Sequence, residues 1–225
     1  MSKIRGILTF IQFVITVSIT IILMYIFNQH HHKIRKVWTA LQVKLLGIKL
    51  EIKGELDTTC DMVMMNHQAL LDIVVMEHIH PRNLAWVGKK EITDLFFFGH
   101  IMKAPKMISI NREDKTGIVT LLREGKERLD EGRPIAMFPE GTRSDGKRIS
   151  HFKSGARILA DKYNLKVQPV VMLHTREVLD SKTLRATPGV VKVIFLEPMV
   201  ASKESDWFVQ IENQMKEVFY KELNA

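Results

Sequence analysis

Hydrophobic and polar positions change their spacing along the chain, and the first change comes after residue 27. Residues 6–27 form an unbroken stretch without a charged side chain. A stretch of about 20 apolar residues is long enough to cross the hydrocarbon core of a bilayer. Lys3 and Arg5 precede the stretch, and it shows no A-x-A-like cleavage site of the kind found in secretory signals. The pattern predicts an uncleaved membrane helix.

The next segment keeps a helical period but mixes apolar and basic positions. Apolar residues recur at helical spacing, with basic residues around them: Ile34, Val37, Trp38, Leu41, Leu45 and Ile48, bordered by Lys33, Arg35, Lys36 and Lys44. A stripe that contains Trp and is bordered by basic residues is typical of a helix lying in the lipid headgroup region. The same stripe would also suit a helix packed on a soluble core. We interpret residues 1–47 as N-terminal membrane-anchoring helices.

Beyond residue 47, short apolar runs alternate with longer amphipathic ones. The strand candidates are residues 48–55, 61–65, 84–88, 106–111, 134–138, 166–173 and 189–197. The helix candidates are residues 69–79, 91–102, 114–132, 151–163 and 204–223. Strands that alternate with helices predict the α/β class. We therefore expect residues 48–225 to form an α/β domain with a mixed, largely parallel sheet flanked by helices.

The net charge of the chain indicates which kinds of molecule it would bind. The 225 residues carry a net charge of +8, which suits an anionic membrane surface or another polyanion. The sequence has no zinc-finger spacing and no recognisable RNA-binding signature, so we expect no nucleic-acid partner. Its one cysteine, Cys60, allows no internal disulfide framework.

Polar residues directly follow four of the predicted strands. They are Asn66 and His67 after the second strand, Lys89 after the third, Arg112 after the fourth, and residues 139–143 (PEGTR) after the fifth. Ligand sites in open α/β sheets lie at the carboxyl ends of the strands. If the strands are parallel, these residues meet at one edge of the sheet.

His67 and Asp72 are candidates for acid–base chemistry. An imidazole takes up a proton near neutral pH and so suits a general base. Such a base needs a second group that holds one ring nitrogen, and Asp72 can do this from the first turn of the following helix. The alternative is a helix-capping Asn-His pair with a solvated Asp72, and the residue types fit both.

Three basic residues at strand ends are candidate anion ligands, namely Lys89, Arg112 and Arg143. Arg presents a planar fork that matches phosphate oxygens. Gly141, at the centre of the PEGTR turn, permits close approach of the backbone to a ligand. Glu140 would either accept a hydrogen bond from a substrate hydroxyl or hold an Arg in place. Any one basic residue taken alone is more often solvated surface.

Several catalytic motifs are absent from the sequence. It contains no G-x-S-x-G nucleophile elbow, no Walker loop and no G-x-G-x-x-G. A covalent acyl-enzyme therefore lacks an obvious nucleophile. A base beside an anion site, on a membrane-bound chain, favours direct attack of a substrate hydroxyl on an activated carbonyl.

Two signatures in this sequence resemble a known family. NHQALLD (66–72) matches the N-H-x4-D signature of the glycerolipid acyltransferases, and FPEGTRS (138–144) matches their second signature, in the family's order. The resemblance covers roughly residues 35–200 and is greatest to the bacterial 1-acyl-sn-glycerol-3-phosphate acyltransferases, also called lysophosphatidic acid acyltransferases. It implies an α/β domain with a hydrophobic acyl tunnel, attached to the membrane by N-terminal helices.

The resemblance also implies a reaction. His67 would deprotonate the sn-2 hydroxyl of lysophosphatidic acid, and Asp72 would orient His67. The hydroxyl would attack the thioester of acyl-CoA or acyl-carrier protein, giving phosphatidic acid. Arg112 and Arg143 would bind the glycerol phosphate. The other expected substrate-binding residues are Asn66, Lys89, Glu140, Gly141 and Thr142.

Partners and location follow from the same resemblance. It implies no metal and no cofactor beyond the thioester co-substrate. It implies a bacterial inner-membrane protein, with the lipid bilayer as a partner and the catalytic domain on the cytoplasmic side. Another acceptor (glycerol-3-phosphate or another lysophospholipid) and a thioesterase are alternatives at the same site. A non-catalytic module that binds anionic lipid is an alternative of a different class.

Overall fold

Two antiparallel helices come first in the chain. The computed structural model describes residues 2–111, 114 and 116–224. Helix α1 comprises Ser2–Ile26 and α2 comprises His31–Leu46, with a short 3-10 turn at Asn28–His30 between them. Within the described part of the chain, α1 is the one helix long and apolar enough to cross a membrane. It lies where the uncharged run predicts a helix.

Polar contacts join α1 to α2. Arg5 Nη2 donates to the carbonyl oxygen of Leu46 at 3.1 Å, which pairs the start of α1 with the end of α2. Nearer the middle of both helices, the Thr16 hydroxyl oxygen accepts from Trp38 Nε1 at 3.1 Å and from Gln42 Nε2 at 3.0 Å. Hydrogen bonds between apolar helices fix their register, so the two helices form one unit.

The rest of the chain is built on one large sheet. The strands are β1 (Ile48–Lys53), β2 (Met62–Met65), β3 (Ala85–Lys89), β4 (Ile108–Ile110), β5 (Ile135–Met137), β6 (Lys166–Leu173), β7 (Leu179–Asp180), β8 (Arg185–Ala186), β9 (Gly189–Phe195) and β10 (Met199–Val200). The large sheet has the order β1-β9-β6-β2-β5-β3-β4, with β10 beside β6, while β7 and β8 form a separate hairpin. Strands β6, β2, β5, β3 and β4 are parallel, and β9 is antiparallel to β6. The predicted mixed, largely parallel sheet is confirmed.

Helices cover both faces of this sheet. They are α3 (Leu71–Ile79), α4 (Lys90–Thr93), α5 (His100–Lys103), α6 (Thr116–Asp130), α7 (Ser154–Tyr163), α8 (Thr175–Val178) and α9 (Trp207–Leu223). One apolar core packs α6, α7 and α9 on the sheet, and a second packs α2, α3 and α8. In β2, Met62 and Met64 belong to the first core, and Val63 and Met65 to the second. Burial on both faces explains the uninterrupted apolar run of this strand.

Helix α2 buries polar side chains against α3. Arg35 is buried, and its Nη1 lies 2.6 Å from Glu77 Oε1. Lys36 Nζ donates to the carbonyl oxygen of His80 at 3.0 Å. Arg35 and Lys36 are two of the basic residues that border the apolar stripe in the sequence, and in the structure both are engaged by α3 and the residue that follows it. Both cations bind α2 to the end of α3.

Part of the apolar stripe of α2 faces outwards, whereas Trp38 packs against the second core. Val37, Leu41 and Leu45 are all exposed. Ile48, which the helical period included, is the first residue of β1, because Gly47 in the left-handed region ends α2. The boundary expected at residues 47 and 48 falls between α2 and β1. That residues 48–225 form a unit of their own stays a prediction.

The single helix expected over residues 91–102 is wrong. The structure has the one-turn helices α4 and α5, separated by a turn at residues 94–99. The Gly99 N–H closes this turn by donating to the carbonyl oxygen of Leu95 at 3.0 Å. A Cβ at position 99 would lie 2.2 Å from the carbonyl oxygen of Thr93, so the close backbone approach requires glycine.

The sequence pattern gave no sign of α8 or the β7–β8 hairpin. These elements follow β6 and occupy residues 175–186. The hairpin packs directly on α1, since a Cβ at Gly6 would lie 1.9 Å from the carbonyl oxygen of Leu184. The first helix is thereby held against the segment that follows the carboxyl end of β6.

Candidate active site

The central strand β2 delivers His67 to the carboxyl edge of the sheet. Asn66, which follows β2, is fully buried, and its side-chain amide accepts from the Met172 N–H at 2.7 Å and donates to the Met172 carbonyl at 2.9 Å. Asn66 therefore bridges the ends of β2 and β6, and a substrate contact for it stays a prediction. The bridge fixes the backbone immediately before His67.

Asp72 lies in the first turn of α3 and is fully buried. Its Oδ2 accepts from His67 Nδ1 at 2.7 Å, from the Gln68 N–H at 2.7 Å and from the Ala69 N–H at 2.9 Å. Its Oδ1 accepts from the hydroxyl of Thr175. The alternative of a helix cap with a solvated Asp72 is therefore wrong, because this carboxylate is enclosed and held by hydrogen bonds.

The imidazole of His67 is fixed on two sides. With Nδ1–H donated to Asp72, the second ring nitrogen, Nε2, is the basic one. The ring stacks on Phe138 with 3.8 Å between centroids and 12° between planes. Its side chain is 12% exposed, so the imidazole is shielded but still reached from outside. A histidine held in one orientation by a buried carboxylate is suited to general-base chemistry.

Glu140 acts on the backbone of this site. Its Oε1 accepts from the His67 N–H and its Oε2 from the Ser150 N–H, each at 2.7 Å. Burial raises the pKa of the Glu140 carboxyl above its ordinary value, although the two backbone N–H groups act in the opposite direction. The sequence suggested a substrate-hydroxyl acceptor or a partner for Arg. The structure shows that Glu140 links the backbone of His67 to the segment after the PEGTR turn, and a substrate contact for Glu140 stays a prediction.

The PEGTR turn lies beside His67. The Ser144 N–H donates to the carbonyl oxygen of His67 at 2.7 Å. Gly141 has φ +73°, and a Cβ there would lie 3.0 Å from Lys153 Cδ, so glycine keeps the turn tight. Thr142 and Arg143 are exposed. The turn thus presents Arg143 to solvent next to the histidine.

Arg143 lines a small crevice of about 10 Å³ that also borders Gln68, Arg176, Asp180 and Lys182. Arg176 Nη1 donates to the Ser144 carbonyl at 2.9 Å, and its Nε lies 3.6 Å from Asp180 Oδ2. Arg143, Arg176 and Lys182 outnumber the one carboxylate, Asp180, so the crevice carries a net positive charge. Such a charge suits a phosphate.

One predicted ligand stands apart from this group. Lys89 lies at the carboxyl end of β3, separated from β2 by β5, and its Nζ lies 2.7 Å from Glu91 Oε1. Arg112 lies outside the described residues. The structure therefore brings together His67, Asp72 and the PEGTR turn, whereas substrate binding by Lys89 and Arg112 stays a prediction.

Sequence reasoning missed Thr175 and Arg176. Thr175 is fully buried and holds the second oxygen of Asp72. Both residues follow β6 almost directly, at the same carboxyl edge as the other candidates. The strand-end rule that selected His67 would have selected them had it been applied to the sixth strand as well.

Comparison with known proteins decides the family. The family model described as Acyltransferase matches residues 59–173, which is just over half of the chain. The chain is also 38% identical to a 1-acyl-sn-glycerol-3-phosphate acyltransferase from Helicobacter pylori, over 94% of this chain and 93% of that protein. The chain belongs to the acyltransferase family. Asn66, His67, Asp72 and the PEGTR turn all lie inside the matched residues, whereas Thr175 and Arg176 lie just beyond them.

One further sequence comparison and one structural comparison show what this acyltransferase is similar to. It is 27% identical to a chloroplastic 1-acyl-sn-glycerol-3-phosphate acyltransferase of Arabidopsis thaliana, over 90% of this chain and 61% of that protein. The crystal structure of the 1-acyl-sn-glycerophosphate acyltransferase PlsC from Thermotoga maritima superposes with a TM-score of 0.80, covering 100% of this chain and 98% of the other at 22% identity. That match establishes a shared fold, including the two N-terminal helices within the covered length.

Proposed function

We propose that this acyltransferase transfers a fatty acyl group from a thioester donor to the sn-2 hydroxyl of lysophosphatidic acid, giving phosphatidic acid. The observation that carries the proposal is the oriented His67–Asp72 pair beside a cationic crevice. The relatives from Helicobacter and Arabidopsis carry the name of this reaction. The thioester comes from acyl-CoA or acyl-carrier protein, and the reaction needs no metal, because the donor is already activated.

The proposed chemistry has two steps. His67 Nε2 takes the proton of the acceptor hydroxyl while its oxygen attacks the thioester carbonyl carbon. Asp72 stabilises the imidazolium that forms. The tetrahedral intermediate then collapses, the C–S bond breaks, and the leaving thiolate takes the proton back from His67. The acyl group ends on the acceptor oxygen, and the histidine is neutral again.

The acceptor phosphate would lie at the mouth of the crevice next to His67, against the cations that line it. Arg143 offers a planar donor fork towards phosphate oxygens, and Arg176 and Lys182 add charge from the segment after β6. A dianionic phosphate monoester gains more from this density of cations than a zwitterionic headgroup would. The crevice therefore favours lysophosphatidic acid as the acceptor over neutral lysolipids.

We further propose that α1 lies in one leaflet of a bacterial inner membrane, with the catalytic domain on the cytoplasmic side. Both ends of α1 contact the rest of the chain, at Leu46 through Arg5 and at His100 through Tyr25. Its outward face is apolar, with exposed Ile4, Leu8, Ile11, Ile15, Ile19, Ile22 and Ile26. A helix docked along its length on the domain, with an apolar outward face, matches an interfacial anchor.

Replacing His67 tests the reaction. We expect His67→Ala to abolish formation of phosphatidic acid from labelled lysophosphatidic acid and acyl-CoA or acyl-carrier protein, while binding to vesicles is retained. His151→Ala is the matched control, because the His151 side chain is 87% exposed and lies outside the site. Full transfer by His67→Ala would contradict the mechanism. Thiol release at equal rates with and without lysolipid would favour a thioesterase, and vesicle binding without either activity would favour a non-catalytic module.

A further inference from the structure

The turn between α4 and α5 presents large apolar side chains to the outside. Phe96 is 96% exposed, which is the highest value for a large hydrophobic side chain among the described residues. Leu95, Phe98 and Ile92 are exposed as well. A contiguous apolar patch of this kind on a water-facing surface marks an interaction site.

The turn is built to present these side chains. Besides the Gly99 bond that closes it, the His100 N–H donates to the Phe97 carbonyl at 3.1 Å. The hydroxyls of Thr93 and Ser109, 2.8 Å apart, tie the start of the turn to β4. Because the backbone is fixed on both sides and Gly99 is sterically required, the exposure of Phe96 is a property of the fold.

The surroundings of the turn indicate what covers it. The Tyr25 hydroxyl at the end of α1 lies 2.5 Å from His100 Nδ1 of α5, so the turn lies next to the end of α1, whose outward face is apolar. Lys103 and Lys106, just beyond the turn, are exposed cations. Apolar side chains next to exposed lysines match a bilayer surface with anionic headgroups.

We propose that the turn at residues 95–98 inserts into the same lipid surface as α1, as a membrane contact separate from the two N-terminal helices. This inference rests on the proposed membrane location of α1. The two helices alone allow the domain to rock about their common direction. A contact to one side of them fixes the tilt, and α4 connects this turn directly to Lys89 at the catalytic edge of the sheet.

Site-specific labelling tests the inference on the full-length protein. Cys60, the only cysteine, is replaced by serine, and single cysteines at positions 96, 15 and 209 are labelled with the environment-sensitive dye NBD. Ile15 lies on the outward face of α1, and Val209 is an exposed residue of α9. On adding equimolar phosphatidylglycerol–phosphatidylcholine vesicles, we expect the emission of labels 96 and 15 to shift to the blue and to be quenched by brominated acyl chains. Label 209 should do neither.

The outcomes separate this inference from the proposed location of α1. A response at position 15 without one at position 96 overturns the inference and leaves the location of α1 intact. No response at either position overturns both. A blue shift at position 96 that appears without vesicles and grows with protein concentration identifies a contact between copies of the chain, and also overturns the inference.

A substitution at the turn gives a second measurement. Burying one large apolar side chain is favourable enough that Phe96→Ser should weaken partition into these vesicles by roughly ten- to a hundredfold. Val209→Ser is the matched control and should leave partition unchanged. Turnover of lysophosphatidic acid in vesicles should fall with the partition, whereas turnover of a short-chain, water-soluble acceptor should not. Unchanged partition of Phe96→Ser would overturn the proposed insertion.

Discussion

Replacing Thr175 by valine should reduce catalysis without disturbing the shape of the interior. Thr175 is fully buried, and its hydroxyl donates to Asp72 Oδ1, whereas the donors from His67, Gln68 and Ala69 all serve Oδ2. Valine keeps the volume and branching of threonine but supplies a methyl group in place of the hydroxyl. The substitution therefore removes one of the two constraints on the rotation of the carboxylate.

The expected drop in kcat follows from the kind of hydrogen bond that Thr175→Val removes. A hydrogen bond to a charged group contributes about 1.5–3 kcal/mol. If this stabilisation is lost in the transition state, in which Asp72 faces an imidazolium, kcat drops by about tenfold to 150-fold. Because Thr175 does not border the cationic crevice, the KM for the acceptor should stay unchanged.

Steady-state kinetics combined with thermal unfolding tests this role of Thr175. Thr175→Ser keeps the hydroxyl and should restore most of kcat. Thr187→Val is the matched control, since it removes a threonine hydroxyl that donates to the Glu177 carbonyl at 2.8 Å, away from Asp72. If Thr175→Val lowers the melting temperature but leaves kcat as in the wild type, the hydroxyl serves packing alone and the reasoning is refuted.

Three further substitutions probe the same site. Asp72→Asn places an amide NH2 among N–H donors and should lower kcat by roughly 10²–10⁴-fold; a wild-type rate would exclude Asp72 as the residue that orients His67. Glu140→Gln leaves the N–H of His67 or of Ser150 facing a donor, so urea unfolding should show a loss of about 1–3 kcal/mol in the free energy of unfolding. Undiminished stability would contradict the linking role of Glu140. Arg143→Ala should raise the KM for lysophosphatidic acid roughly tenfold or more with little effect on the donor KM, and an unchanged acceptor KM would remove Arg143 from the phosphate site.

Much of the sheet and the positions of the strand-end residues follow from local pattern. The run from Met62 to Met65 is apolar throughout because both faces of β2 are buried, and such runs are characteristic of parallel strands. The carboxyl ends of parallel strands share an edge, so His67 and the PEGTR turn could be placed together before their distances were known. Within the described residues, the structure confirms that proximity.

Contacts between distant parts of the chain could not be read from the pattern. Arg35 resembles any basic residue beside an apolar stripe, and its burial depends on partners distant in sequence, Glu77 of α3 and Asn83. Thr175 carries no motif, and its partner Asp72 lies more than a hundred positions away. The helix expected at residues 91–102 failed for a related reason. Apolar content favoured a helix, whereas Gly99 and the contact of Thr93 with β4 impose a turn.

The packing of Gly6 against Leu184 bears on how the protein is made. Helix α1 can pair with α2 early in synthesis, yet the hairpin backbone on which it also docks is made much later. Contacts between such distant positions form late, and an apolar helix without its partner is prone to aggregate. We therefore expect the nascent α1 to need shelter from water, by lipid or by a targeting factor. If α1 lies in lipid as proposed, capture of the nascent chain at the membrane would precede completion of the catalytic centre, and each molecule would mature at the surface that holds the proposed lipid acceptor.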